Sequence, residues 1–198
     1  VKSHSAVSYT ELHGFLVGLR TRRGVGARAL EFIILTGSRT RPLLLAKWED
    51  IDFDNAIWNC PEDNMKSGNF FRIPLSEPAM KIINSQKKHS RGEYIFGHEQ
   101  TGKMSSNNCM LYTIYRMGYK GKVTTHGMRS TMRDWAGETT KYSERIVEVC
   151  LDHTVNTAAE AAYQRGDYLA KRREIMDGWG RFCFPAGNKV VQLQGRIL

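Results

Sequence analysis

This sequence of 198 residues contains no long apolar stretch, no internal repeat and no low-complexity linker. Its longest apolar runs, Phe32–Leu35 and Leu43–Ala46, are far shorter than the roughly 20 residues that cross a bilayer. The first residues, Val1 to Ser5, contain no apolar core of signal-peptide length. Because of these absences, we do not expect a membrane protein. We expect a soluble intracellular protein without a membrane partner.

Cysteine is also sparse, and no Cys-x-x-Cys pair is present. In a domain of this size, widely spaced cysteines predict reduced thiols rather than a disulfide framework. No His/Cys spacing is typical of a zinc site. We therefore expect no disulfide, no metal site and no cofactor; the four cysteines are Cys60, Cys109, Cys150 and Cys183.

Acidic residues are outnumbered: 20 Asp and Glu face 29 Lys and Arg, which gives a net charge of +9. A polyanion is the natural partner for such a chain, because each contact with a phosphate releases counterions and adds affinity. The plainer alternative is a basic protein that is merely soluble. The hydrophobic fraction of 41% and the charged fraction of 25% are ordinary for one globular core.

Apolar spacing predicts three helices in the first quarter of the chain. They run from about Tyr9 to Arg20, from Ala27 to Leu35 with a stop at Gly37, and from Leu43 to Lys47. Because proline is tolerated in a first helical turn, Pro42 can open the third. Short segments rich in β-formers follow at 51–53, 56–58 and 69–75, and they predict a small antiparallel sheet whose last hairpin carries Lys66 near its turn.

The rest of the chain is predominantly helical in pattern, with a short strand possible at 94–96. Further helices are predicted at 77–88, 107–117, 125–137, 143–150, near 156–164 and at 168–182. In the last helix Trp179 and its apolar neighbours are expected to pack, whereas Lys171, Arg172 and Arg173 face solvent or phosphate. The fold class is mainly α with a small antiparallel sheet, in one domain over 1–184 and a tail over 185–198.

Six residues that suit phosphate chemistry occur along the chain. His126 and Arg129 are three residues apart on one predicted helix, so they share a face with about 5–6 Å between their Cβ atoms. His153 follows Arg129, and Tyr163 follows His153. Upstream, an arginine follows Thr36-Gly37-Ser38, and a lysine lies in the turn-like sequence Asn-Met-Lys-Ser-Gly; these are Arg39 and Lys66.

In the order Arg39, Lys66, His126, Arg129, His153 and Tyr163, this set resembles the catalytic residues of the tyrosine recombinases, or phage integrases. The resemblance covers nearly the whole chain, including the flanking segments Leu35–Arg39, Trp48–Asp52, Ile73–Ser76, His126–Trp135 and Ala161–Arg165. It implies the catalytic domain of a DNA breaking-rejoining enzyme: helical, with an inserted β-hairpin. Cleavage would give a 3′-phosphotyrosine, without a metal ion.

The same resemblance implies a biological setting. Integrases of prophages and genomic islands integrate and excise mobile elements at double-stranded attachment sites. It implies a homotetramer on two DNA sites, with a monomer when alone, and accessory DNA-bending or directionality factors as further partners. The location implied is the bacterial cytoplasm, in association with the nucleoid.

The chemistry of each residue type fits the role that the resemblance gives it. Guanidinium groups match phosphate bidentately and stay charged, which suits Arg39 and Arg129 to neutralising a scissile phosphate. Tyr163 is the candidate nucleophile; a phenol with a pKa of about 10 needs a base or local positive charge. Tyr142 and Tyr168 are its competitors, and spacing from His153 favours Tyr163.

The histidines and the lysine have weaker individual support. His126 and His153 are suited to orienting phosphate oxygens or accepting the phenolic proton, because imidazole titrates near neutrality. Lys66 would protonate the leaving 5′-oxygen, a role that depends most on the resemblance. Each of these residues has a plainer reading as a structural or solvated group; the ordered set points to the site.

Two departures from the family pattern stand out. Family members usually carry an acidic residue three positions after the first catalytic arginine, and Pro42 stands there in this sequence. Family members also carry N-terminal arm-binding and core-binding domains, for which no segment is seen before Tyr9, so we expect both to be absent from this chain. These departures motivate an alternative to an active recombinase, namely a catalytically impaired DNA-binding remnant of a prophage integrase. A topoisomerase of the same chemistry is a further reading, which the short chain and the integrase-like flanks disfavour.

Overall fold

Eight helices and three short strands make up residues 5–153 and 166–185, which are the part of the chain that the computed structural model describes. The predicted mainly helical fold with a small antiparallel sheet is confirmed. The helices are α1 (Leu12–Arg20), α2 (Val25–Thr36), α3 (Thr40–Leu45), α4 (Glu77–Gln86), α5 (Cys109–Arg116), α6 (Gly127–Thr139), α7 (Glu144–Cys150) and α8 (Leu169–Cys183); the strands are β1 (Ile51–Asp52), β2 (Ile57–Cys60) and β3 (Phe71–Pro74).

Helix α2 is the centre of the core and packs against α1, α3, α4, α5, α6 and α8. It is apolar around most of its circumference, as expected of a helix enclosed by others. Its one buried acid, Glu31, accepts hydrogen bonds from Arg20 at 2.8 Å and Arg28 at 2.6 Å, which compensates for its burial. The predicted stop is confirmed: Gly37 has a φ of 59°, and its N–H closes the last turn on Ile33.

The three strands form one antiparallel sheet in the order β1-β2-β3. Ile51 pairs with Trp58, and Cys60 pairs with Phe71, so β2 is the central strand. The ring of Trp58 packs against Phe32 of α2, with the ring centroids 5.6 Å apart, and this contact fixes the sheet to the core. The loop between β2 and β3 contains Lys66, as predicted.

Helix ends and one strand differ from the predictions: α1 begins at Leu12 instead of Tyr9, and α6 begins at Gly127 instead of 125. Helix α3 begins at Thr40 rather than Leu43, so Pro42 lies inside its first turn, where a missing N–H costs no helical hydrogen bond. The predicted strand at 94–96 is a single bridge between Lys47 and Tyr94. A single bridging pair does not form a strand, so residues 94–96 are not part of the sheet.

Arg172 was predicted to face solvent or phosphate, and this prediction is wrong. Its side chain is fully buried, stacked over the ring of Phe71 at 4.2 Å. It donates hydrogen bonds to the backbone carbonyls of Asp167 and Arg72. Helix α8 packs against β3, and the guanidinium therefore meets polar backbone in the interior instead of water.

The four cysteines are unpaired, as predicted. Burial raises the pKa of Cys150 to about 11, and it also raises the pKa of Cys60 and Cys183. No described helix is long and apolar enough to cross a membrane. The helix predicted near 156–164 and most of the tail lie outside the described residues.

Candidate active site

Three helix ends meet where the candidate site forms. Arg39 follows the C-terminal end of α2 and immediately precedes α3, in an extended conformation. Arg129 lies in the first turn of α6. Between them lies the turn that ends α7, which includes Leu151 and Asp152. The carbonyl groups at a helix C-terminus lack intrahelical partners and carry partial negative charge, so the C-terminal ends of α2 and α7 attract cationic side chains.

Arg129 is held almost entirely by backbone oxygens. Its Nη1 donates to the carbonyl of Gly37 at 2.5 Å, and its Nη2 donates to the carbonyl of Leu151. The residue is only 3% exposed. Its Nε is buried and has no hydrogen-bond partner among the described residues. The guanidinium is therefore fixed in place by neutral groups, with donor capacity left over.

Arg39 is held instead by a carboxylate. Its Nη1 forms an ion pair with the Oδ2 of Asp152, and its Nη2 donates to the backbone carbonyl of the same residue at 2.8 Å. The Oδ1 of Asp152 accepts a hydrogen bond from Ser67 Oγ at 3.4 Å. Asp152 therefore connects Arg39 to the turn that contains Lys66.

The two guanidinium groups influence each other electrostatically. Burial lowers the pKa of Arg129 to about 10, and the positive charge of Arg39 adds to this lowering, whereas Glu148 opposes it. Burial also lowers the pKa of Arg39. A pKa of about 10 still leaves Arg129 charged at neutral pH, so the site contains two partly desolvated cations.

His153 connects Arg129 to an acid. Its Nε2 lies 3.0 Å from Nη2 of Arg129, and its Nδ1 contacts the carboxylate of Glu148. Arginine has only donors, so Nε2 must accept in this contact. The proton then lies on Nδ1 and is donated to Glu148, which fixes both the tautomer and the orientation of the ring.

The histidines share one small pocket with the second arginine. It is lined by His126, Arg129, Ser130, Arg133, Leu151 and His153. His126 immediately precedes α6, where the hydroxyl of Thr124 accepts from the N–H of Gly127 at 2.9 Å. Imidazole and guanidinium groups therefore lie together around this small pocket.

The structure brings four of the six predicted residues into one region: Arg39, His126, Arg129 and His153. Lys66 is exposed in its turn, and that turn reaches the region through Ser67. Tyr163 lies outside the described residues. Of its competitors, Tyr142 packs on Trp135 and donates its hydroxyl to the Glu174 carbonyl at 3.2 Å, and Tyr168 immediately precedes α8.

Three residues of the site were missed in the sequence: Asp152, Glu148 and Arg133. Asp152 immediately precedes His153, and Glu148 is five residues before it, but no spacing rule links an acid in this segment to a partner as remote as Arg39. Arg133 is one helical turn after Arg129, and this spacing was available. Pro42 lines a neighbouring pocket with Arg39 and Asp152, so the acidic partner of Arg39 comes from the turn that ends α7 and not from α3.

No cluster of three or more His, Cys, Asp and Glu residues within 5–153 and 166–185 has an arrangement that could hold a metal ion. The charged and titratable groups that the structure brings together at the site are those of the arginines, the histidines and the acids Asp152 and Glu148. Such a set is suited to holding an oxyanion: fixed cationic donors surround it, and an imidazole is available to exchange a proton.

Comparisons with known proteins identify the family and the fold. The sequence model of the phage integrase family matches residues 21–168. The integrase of Enterobacteria phage P4 is 29% identical over 211 residues, a match that covers 97% of this chain and 48% of the relative. The chain spans about half the length of the curated relatives it matches.

Two solved structures show the same fold. The lambda integrase catalytic core superposes with a TM-score of 0.56 at 18% identity, covering 79% of this chain and 95% of that one. A lambda integrase tetramer bound to a Holliday junction gives a TM-score of 0.59 at 20% identity, covering 81% of this chain and 48% of that one. The fold is therefore that of a tyrosine recombinase catalytic domain. With its helical core, its inserted hairpin and a family match across 21–168, the chain belongs to the phage integrase family.

Proposed function

We propose that this chain is the catalytic domain of a tyrosine-type site-specific recombinase. It would cleave and rejoin DNA through a 3′-phosphotyrosine intermediate and so integrate or excise a mobile element. The observation that carries the proposal is the pair of partly desolvated guanidinium groups of Arg39 and Arg129, with His153 in contact with the second. Membership of the family supports the same chemistry.

Arg39 and Arg129 are proposed to bind the non-bridging oxygens of the scissile phosphate. Charge that develops in the transition state is stabilised best by donors that are already oriented in a site with little water. Arg129 meets this requirement because backbone carbonyls fix it and because the residue is only 3% exposed. Neutral partners also leave its full positive charge available to the phosphate.

The histidines and Lys66 are proposed to manage protons. The unprotonated Nε2 of His153 accepts from Arg129, and the ring lines the pocket; a substrate that displaces this contact would meet a group able to take the phenolic proton or, once protonated, to bind a phosphate oxygen. His126 lines the same pocket. Lys66 would protonate the leaving 5′-oxygen from its exposed turn, which is connected to Arg39 through Ser67 and Asp152.

Tyr163 is proposed as the nucleophile. It follows His153 by ten residues in the sequence and precedes Asp167, which is anchored on β3. The phenol is a fair leaving group, so the phosphotyrosyl bond can be reopened by a DNA 5′-hydroxyl without an energy source. This property distinguishes strand exchange from hydrolysis.

The proposed partner is double-stranded DNA with attachment sites, in a homotetramer during strand exchange and as a monomer alone. The net charge of +9 and the shared fold of a lambda integrase tetramer bound to a Holliday junction support this proposal. Accessory bending or directionality factors, and a bacterial cytoplasmic, nucleoid-associated location, belong to the same proposal. Residues 1–184 would be the catalytic domain and 185–198 a tail.

A recombination assay in cells tests the function directly. A plasmid carries the two junction sequences of the element around a reporter, and the gene encoding this chain is expressed in full. We expect recombined plasmid with the wild type and with Tyr168→Phe, and none with Tyr163→Phe. Binding of the junction DNA without recombination by the wild type would refute the proposal and favour the impaired DNA-binding remnant.

A further inference from the structure

We propose that Asp152 is a positioning residue for this reaction: its carboxylate holds Arg39 and the turn containing Lys66 in one arrangement around the scissile phosphate. This inference rests on the proposed function. Asp152 would not touch the phosphate itself. It would act through the cationic side chain that does, and through the turn that carries the proposed acid.

The contacts of Asp152 reach two separate parts of the chain. One carboxylate oxygen pairs with Nη1 of Arg39, and the other accepts from Ser67 Oγ at 3.4 Å. The backbone carbonyl of Asp152 accepts from Nη2 of Arg39 at 2.8 Å. A single residue therefore joins the start of α3 to the loop between β2 and β3.

The backbone at Asp152 has a conformation that glycine adopts at least as easily as aspartate. Its φ is 52°, in the left-handed region that an L-residue rarely adopts and that glycine adopts readily. Glycine would therefore complete the turn after α7 more easily. Aspartate is one of the few residues besides glycine that adopt this region, and its carboxylate contacts are what it adds over glycine here.

The charges in the site give that carboxylate its role. Arg39 and Arg129 are like charges close enough for the first to lower the pKa of the second. Arg129 is fixed by carbonyls, but the only carboxylate paired with Arg39 in the described part of the chain is that of Asp152. Without it, the exposed part of the Arg39 side chain would turn away from Arg129 towards water, and the site would lose its preorganised pair.

Asp152 also leaves Arg39 able to bind a phosphate. A guanidinium has five N–H donors. Asp152 takes one from each terminal nitrogen, so three remain for a ligand. Asp152 therefore holds the guanidinium of Arg39 from one side, and its carboxylate does not occupy the place of the phosphate.

The test compares the wild-type protein with Asp152→Asn and Asp152→Gly. Glycine suits the positive φ, so the Gly variant should keep its melting temperature while losing the carboxylate. We measure the single-turnover rate of covalent complex formation on a nicked duplex that carries the element's junction sequence. We expect a fall of about tenfold or more in both variants, the scale of a displaced catalytic group, with little change in the DNA dissociation constant.

Two controls separate positioning from a general structural effect. Asp54→Asn makes the same charge change at an exposed turn and should leave the rate unchanged. Sodium formate, a small carboxylate, should restore part of the rate in Asp152→Gly and none in Arg39→Ala. A fall that formate does not restore would overturn the positioning role. A variant as fast as the wild type would overturn it too, and a faster variant would show that Asp152 competes with the phosphate.

An NMR measurement tests the inference apart from catalysis. In the wild type, the contact with Asp152 should slow rotation of the Arg39 guanidinium and resolve its Nη–H signals. In Asp152→Gly those signals should merge, whereas the Arg129 signals stay resolved because carbonyls hold that group. Unchanged Arg39 signals would overturn the inference. If the wild type formed no covalent complex, the proposed function would fail while this measurement still decided the role of Asp152.

Discussion

At the scale of single residues, the two arginines differ in the kind of partner that holds them. Arg129 is bound by the carbonyls of Gly37 and Leu151, which carry only partial charge. Arg39 is bound by the full charge of Asp152. Carbonyls orient a guanidinium without neutralising it, so Arg129 retains more attraction for a phosphate.

This difference leads to a prediction for Arg129. Replacement by alanine should cost about 3 kcal/mol or more of transition-state stabilisation, the scale of losing one preorganised donor, and lysine should restore little because it lacks the fork that spans two carbonyls. The measurement is the single-turnover cleavage rate on a nicked duplex. Arg181→Ala, an exposed arginine on α8, is the control.

A substrate with a neutral scissile group sharpens the same prediction. If Arg129 acts by neutralising charge, a methylphosphonate at the scissile position should reduce the difference in cleavage rate between the wild type and Arg129→Ala. An equal difference on phosphate and methylphosphonate would mean that Arg129 supports the fold of the site instead of meeting the charge of the phosphate.

At the scale of elements, a cluster of charged side chains joins β3 to the start of α8. Asp167 accepts two hydrogen bonds from Arg72, at 2.9 and 3.0 Å, and its carbonyl accepts from the buried Arg172. Burial by itself raises the pKa of Asp167. The hydrogen bond and charge of Arg72, with the charge of Arg172, outweigh it, and the pKa is lowered overall.

The lowered pKa predicts a pH-dependent contribution to stability. A carboxyl whose pKa is lower in the folded state stabilises the fold fully above its unfolded pKa, about 3.9, and loses this contribution as the pH falls through the folded value. Asp167→Asn should therefore be less stable than the wild type at pH 7, and the difference should shrink below about pH 4. Urea unfolding across this range measures it, with Asp54→Asn as control; a constant difference would contradict the prediction.

Helices α2 and α5 cross closely enough to exclude a side chain at Gly26. A Cβ there would lie 2.5 Å from the carbonyl oxygen of Cys109, a backbone atom that cannot swing away. Gly26→Ala should lower the free energy of unfolding by about 1–3 kcal/mol, the usual cost of overpacking. Gly14→Ala in α1 is the matched control, because nothing lies within 4 Å of its Cβ and alanine favours helix.

If thermal and urea unfolding gave both alanine variants the wild-type free energy of unfolding, the close crossing of α2 and α5 would be refuted. We expect Gly14→Ala to raise the free energy of unfolding and Gly26→Ala to lower it. The comparison isolates packing, since the change in backbone entropy is the same at both sites.

The elements also show how far the sequence alone reaches. Local chemistry predicted the stop of α2 at Gly37 and the proximity of His126 to Arg129, because both depend on residues a few positions apart; His126, however, immediately precedes α6 instead of lying in it. It could not predict the burial of Arg172, which depends on β3 lying beneath α8. The contact of Asp152 could not be predicted for the same reason, since its partner Arg39 is remote in the sequence.

At the scale of the whole molecule, the net charge of +9 predicts that DNA binding is strongly electrostatic. The logarithm of the association constant for a short duplex should fall linearly with the logarithm of the salt concentration, with a slope of about −0.9 for each phosphate contacted. Titration at several NaCl concentrations measures it, and an uncharged peptide nucleic acid of the same sequence is the control. A slope near zero would contradict a phosphate-binding surface.

The central claim is that this chain joins a tyrosine to DNA at the arginine and histidine site. The most direct test is to trap the covalent complex on a nicked duplex bearing the element's junction sequence, in EDTA, and to identify the modified peptide by mass spectrometry. We expect a nucleotide joined through its 3′-phosphate to Tyr163, and no complex with Tyr163→Phe. A modified Tyr142 or Tyr168, or a complex that persists in Tyr163→Phe, would contradict it.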